Sequence, residues 1–145
     1  MATKLNPYLN FDGTAEEAMT FYKSVFGGEF MGGVMKMGEA PGTEGLPENE
    51  KNRVMHVSLP IGDGNVLMAS DIIPSMGHTL TQGNGNYICI SPDSKKEADR
   101  LFNGLSVGGV VEMPMADQFW GDYFGSFKDK YGVYWTINCQ CASQN

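Results

Sequence analysis

FDGTAEEAMTFYKSVFGG (residues 11–28) and SPDSKKEADRLFNGLSVGG (residues 91–109) write nearly the same helix twice in one chain. Set in register, Thr14 falls on Ser94, Glu17 on Glu97, Ala18 on Ala98, Phe21 on Leu101, Tyr22 on Phe102 and Val25 on Leu105. Each copy opens with S/T-x-x-E, a capping box in which the hydroxyl accepts from the N3 amide and the Glu reaches back to the cap amide. Ala98, Leu101, Phe102 and Leu105 keep the i, i+3, i+4, i+7 spacing of a one-sided amphipathic helix, and Ala18, Tyr22 and Val25 do the same in the first copy. Both stretches end at a Gly pair, where the chain can turn left-handed and leave the helix.

Strand-like runs surround each helix in the same order. KLNPYLNF (4–11) precedes the first, and 29–37, 53–60 and 65–72 follow it, the last two joined through Gly62-Asp63-Gly64. NYICIS (86–91) precedes the second, and 110–114, 122–129 and 133–138 follow it. Each half therefore reads β-α-β-β-β. A helix covers only one face of such a sheet, so the other face must meet something else. Two halves closing edge to edge predict an α+β fold in which two βαβββ modules form a curved mixed sheet around a cleft. The expected organisation is a single domain over 1–140, with module one at 1–72, a linker at 73–85 and module two at 86–138, then a tail at 141–145. The Gly-, Pro- and Glu-rich segment 38–52 is expected to be a mobile loop.

Composition narrows the function. Ten Lys and Arg against 17 Asp and Glu give a formal charge of −7, which repels phosphate backbones and excludes nucleic acid as a partner. With 41% hydrophobic residues the chain can build a core, yet no apolar run approaches the ~20 residues of a membrane span. No membrane partner is expected, and with no apolar leader at the N-terminus the expectation is a soluble cytoplasmic protein. Cys89, Cys139 and Cys141 form an odd set without C-x-x-C spacing, and the Cys139-x-Cys141 pair reads as incidental rather than as a metal clip.

Several separated motifs add a resemblance. The paired βαβββ modules, AEEAMTFYKSVFGG (15–28), MASD (68–71), EMP (112–114), WGDYFGSFKD (120–129) and KYGVYW (130–135) together resemble the PhnB-like branch of the glyoxalase/bleomycin resistance/dioxygenase (vicinal oxygen chelate) superfamily. Metal-dependent members carry His and Glu ligands on the first and last strands of each module. The matching positions here hold Tyr87, Thr136, Met68, and either Asn6 or Pro7, depending on whether FDG hides a one-residue insertion. A divalent ion needs several anionic or imidazole donors at about 2.0–2.3 Å. This set offers none, and Met68 is a soft thioether suited to copper(I). No metal and no cofactor are therefore expected.

Other residues complete the candidate site. Centring the hairpin on Asp63-Gly64 pairs Leu59 with Met68, Val57 with Ser70 and His56 with Asp71. The His56–Asp71 pair then reads either as an imidazole oriented by a carboxylate for general-base work, or as a structural cross-strand pair on the face opposite Met68. Strand alternation assigns Tyr134, Thr136 and Asn138 to the cleft, and Val133, Trp135 and Ile137 to the helix side. The expected ligand-binding cleft is Asn6, Tyr8, Met68, Tyr87, Tyr134, Thr136 and Asn138. Ten methionines, several in or beside strands, suit an apolar ligand or an adaptable dimer face. The expectation is a small-molecule-binding protein of unassigned reaction, forming a homodimer. The alternatives are a metal-dependent lyase or dioxygenase with non-standard ligands such as His56, Asp71 or Glu112, and a resistance-type protein that sequesters its ligand.

Overall fold

A computed structural model describes residues 3–141, so residues 142–145 of the expected tail lie outside the described residues. The chain divides into two compact units, Met1–Thr81 and Gln82–Asn145. In the first, β1 (Tyr8–Phe11) leads into α1 (Ala15–Phe26), followed by β2 (Met35–Lys36), the short helix α2 (Glu48–Lys51), β3 (Val54–Ile61) and β4 (Asn65–Asp71). In the second, β5 (Ile88–Ile90) leads into α3 (Lys95–Leu105), then β6 (Val110–Asp117), β7 (Tyr123–Lys128) and β8 (Tyr134–Cys139). The sheet orders are β1-β4-β3-β2 and β5-β8-β7-β6. In each, the first strand runs parallel to the last and the remaining pairs are antiparallel. The fold is α+β, and the repeated topology follows the repeated sequence.

Each helix lays its apolar stripe on its own sheet. Ala15, Ala18, Met19 and Tyr22 of α1 are buried, as are Val57, Leu59, Leu67 and Ala69 of β3 and β4. Ala98, Leu101, Phe102 and Leu105 of α3 are buried with Phe127, Trp135 and Ile137 of β7 and β8. Asp129 finishes that second core: its buried carboxylate accepts from the Tyr131 and Val133 amides and from the Trp135 indole N–H at 2.8 Å. An indole can be fully buried there because its one donor is satisfied.

The two helix starts are equivalent in position but not in chemistry. Ser94 caps α3 as expected, its hydroxyl accepting from the Glu97 amide at 3.1 Å. The Glu97 carboxylate does not reach back; it pairs with Arg100 at 2.6 Å instead. At α1 the expected Thr14 cap bond is absent. Asp71, arriving from the end of β4, takes the Gly13 and Ala15 amides on Oδ1 at 2.9 Å and the Val54 amide on Oδ2 at 2.8 Å. A long-range carboxylate outcompetes the local hydroxyl because it satisfies three backbone donors at once and is favoured at the positive end of the helix dipole. Gly27 ends α1 with φ +83. α3 stops earlier than the sequence suggests, at Leu105, and Gly109 lies so close to the Lys128 carbonyl that no side chain fits.

Three further expectations change. The β3–β4 hairpin pairs Leu59 with Leu67 and Val57 with Ala69, one residue away from the Asp63-Gly64-centred register. Segment 38–52 carries structure of its own: a 3-10 turn at Met37–Glu39, and α2, whose Glu50 is buried and accepts from the Ser75 amide at 2.8 Å and from the Ser75 hydroxyl. Cys139 and Cys141, read as incidental, are joined by a disulfide, while Cys89 is free and exposed.

Candidate functional site

Because strand faces alternate, the side of each sheet away from its helix presents its own set of side chains. In the first unit the parallel register places Tyr8 beside Met68, and Ser58 lies across from Met68 on β3. The Tyr8 hydroxyl is 3.2 Å from His56 Nδ1, with ring centroids 5.8 Å apart. His56 therefore shares the open face with Tyr8 and Met68. The expected His56–Asp71 pair does not form, since Asp71 is spent on backbone amides. The cause is the one-residue shift in hairpin register, which exchanges the faces of an entire strand. Asn6 Oδ1 accepts from the Val66 amide at 3.1 Å, so its carboxamide oxygen extends the strand pairing.

Continuing the two parallel registers sets Asn6 level with Val66 and Tyr87 level with Tyr134. Asn6 rather than Pro7 is thus the counterpart of Tyr87, and the extra residue of the first module lies between β1 and α1.

In the second unit the Tyr87 and Tyr134 rings lie 5.2 Å apart. The Tyr87 hydroxyl donates to Glu112 Oε1 at 2.9 Å. That hydrogen bond, then burial and the Glu112 charge, hold the Tyr87 phenol above its ordinary pKa of 10.0. Lys128, level with Tyr134, places its ammonium 5.8 Å from the Tyr134 ring. Thr136 lies between Cys89 and Ser126. Asn138 donates to Asp122 Oδ2 at 3.0 Å and sits across from Phe124, whose ring is 6.1 Å from that of Trp120. Phe119 and Trp120 are exposed, so this aromatic run is not core.

The structure thus groups the sequence-chosen residues by unit: Tyr8 and Met68 on one open face, with Asn6 at the strand pairing beside them; Tyr87, Tyr134, Thr136 and Asn138 on the other. Two members went unread. Lys128 was findable, since the turn after Asp129 folds it back against Tyr134. The Tyr8–His56 contact was not, because it depends on the hairpin register.

The donors at the superfamily metal positions do not fit a divalent ion. Tyr87 is bonded to Glu112, Asn6 is committed to β4, and Thr136 and Met68 are neutral. Among the described residues no three His, Cys, Asp or Glu side chains gather into a ligand set.

Comparison with known proteins agrees with this frame. The family model for 3-demethylubiquinone-9 3-methyltransferase matches residues 3–138. Protein YjdN of Escherichia coli K12 is 31% identical over 92% of this chain and 93% of its own. The crystal structure of protein PA1353 from Pseudomonas aeruginosa is 37% identical with a TM-score of 0.84, covering 97% of this chain and 99% of that one. The PhnB protein of Bacillus cereus is 26% identical with a TM-score of 0.74, covering 94% and 99%. The fold alone extends further, to a glyoxalase/bleomycin resistance protein/dioxygenase domain from Frankia at 10% identity and a TM-score of 0.66, covering 96% and 92%. The chain belongs to the PhnB-like 3-demethylubiquinone-9 3-methyltransferase family and has the fold of glyoxalase/bleomycin resistance/dioxygenase proteins.

Proposed function

We propose that this protein binds a small organic ligand, carrying a flat apolar portion and a negative group, at the open faces of its sheets, as a cytoplasmic homodimer. The observation that carries the reading is the Tyr87–Tyr134 pair, with Glu112 fixing one hydroxyl and the Lys128 ammonium over the other ring. Two aromatic walls with a few placed polar groups are the usual composition of a ligand site. Lys128 supplies the charge for an anionic substituent. Methyl transfer, the activity in the family's name, is not part of the reading. The start of α1 is already filled by the Asp71 carboxylate and that of α3 by Ser94, and neither strand-to-helix turn is a glycine-rich seat for a nucleotide-like donor.

Native mass spectrometry on protein purified without added ligand should find a small-molecule adduct. The aromatic anion 8-anilinonaphthalene-1-sulfonate should bind, and Tyr134→Ala or Lys128→Met should weaken it about tenfold. Wild-type binding by both variants, with no adduct, sinks the reading. Sequestration is the second reading, favoured by the neutral, already bonded donors at the metal positions. An adduct recovered unchanged after long incubation supports it, and a chemically altered one supports an enzyme.

A further inference from the structure

We propose that the open face of the first sheet holds a univalent soft cation of the copper(I) class, bound by His56, Met35 and Met68. Three placements bring these groups together. Met35 on β2 is the cross-strand partner of His56, beside a register shift between Met35 and Lys36, and paired residues present their side chains to the same face. Met68 lies beside Tyr8 in the parallel register, and the Tyr8 hydroxyl is 3.2 Å from His56 Nδ1. Met68 is also opposite Ser58, two residues along β3 from His56, a same-face diagonal of about 7–8 Å that a methionine side chain spans. Tyr8 and Met35 are each 47% exposed, so the face is open to an ion.

The donor chemistry selects the ion. Thioethers and imidazole are soft or borderline neutral ligands that suit copper(I), whereas zinc, nickel and iron(II) demand thiolate, carboxylate or several imidazoles. Asp71, the nearest carboxylate in sequence, is turned to the other side of the sheet and spent on amides. Tyr8 acts as a positioning residue: with Nδ1–H donating to the phenol oxygen, Nε2 keeps its lone pair for the ion. Of the three ligands only Met68 occupies a superfamily metal position, so this is a different site from the divalent one.

The test uses full-length Cys89→Ser protein, because the exposed thiol would otherwise capture a soft ion. One equivalent of silver(I) should shift the ε-methyl resonances of Met35 and Met68 and the His56 ring, leaving Met76 unmoved, while zinc and nickel shift none of them. Copper(I), competed against bicinchoninate, should bind 1:1. Met35→Leu, Met68→Leu and His56→Gln should each weaken it at least tenfold, and Tyr8→Phe about tenfold by loosening the ring. Leucine keeps the methionine volume, so these variants fold. Unshifted Met35 and Met68 methyls, or unchanged copper(I) affinity in the methionine variants, overturns the site.

Discussion

At the scale of single residues, two carboxylates do more than the sequence suggests. Asp71 is buried and satisfies the Gly13, Ala15 and Val54 amides together. Removing it orphans three backbone donors, each costing about 1–3 kcal/mol when left buried and unpaired. Asp71→Ala should therefore lower the unfolding free energy in urea by on the order of 3 kcal/mol or more, while Thr14→Ala changes it by less than about 0.5 kcal/mol. Equal effects would return the cap to Thr14. Asp99 controls a phenol in the second unit: it accepts from the Tyr123 hydroxyl at 2.7 Å and, chiefly through that bond, Tyr123 is pushed up to about 12. The fold favours the neutral phenol. Its stabilisation is thus complete below the ordinary pKa of 10.0 and lost as pH rises through about 12. Ultraviolet titration of wild type against Asp99→Asn should show one late-ionising tyrosine moving to lower pH in the variant.

At the scale of elements, the second helix keeps the cap that the first gave up. Ser94→Ala should destabilise by about 1 kcal/mol, because the Glu97 amide loses its only cap; calorimetric unfolding that leaves the variant level with wild type would show the bond to be inert. The tie between α2 and the 3-10 turn Pro74–Met76 is acid-sensitive. The Ser75 hydroxyl, and after it the Ser75 amide and Arg53, hold the Glu50 carboxyl below its ordinary 4.5 despite the opposing effect of burial. A depressed carboxylate contributes above its unfolded pKa and fades as pH falls through the folded one. Amide exchange at Ser75, corrected for intrinsic rate, should accelerate as pH falls below the ordinary 4.5 of a Glu and lose that pH dependence in Glu50→Gln. These elements also mark what the sequence makes legible. Both helices, their buried stripes and the β-α-β-β-β order follow from spacing within about a dozen residues. The α1 cap was not legible, because its acceptor comes from the far end of the unit. Nor was the His56 environment: whether two or three residues close the Gly62-Asp63-Gly64 turn decides the register, and no periodicity within β3 or β4 reports it. The site residue Tyr134 emerged from strand alternation and Tyr87 from the family resemblance, whereas joining Glu112 to Tyr87 required knowing which strands lie side by side.

At the scale of the whole molecule, the sheets leave edges. β6 ends the second sheet over eight residues, and its Val110, Val111 and Met113 are 62%, 46% and 43% exposed. A long edge strand with uncovered apolar side chains is a template for pairing, which proteins normally cover or blunt with charge. Of its eight residues only Glu112 and Asp117 are charged, and both are engaged, Glu112 with Tyr87 and Asp117 with Lys95. A second copy of the chain is an occupant of matching character, since a two-fold axis lays one apolar edge against its twin. The expected homodimer buries at least ~1,200 Å² in total, the lower range for a specific interface. Because the contact is apolar while the chain carries a charge of −7, added salt should screen repulsion and tighten the dimer rather than loosen it. Light scattering at micromolar concentration should give twice the single-chain mass of 15.8 kDa. Val110→Lys with Met113→Lys should shift the protein to that single mass while leaving its circular dichroism unchanged, since both side chains already face solvent. A wild-type mass near 15.8 kDa would refute the dimer, and a double variant that stays dimeric would move the interface away from β6.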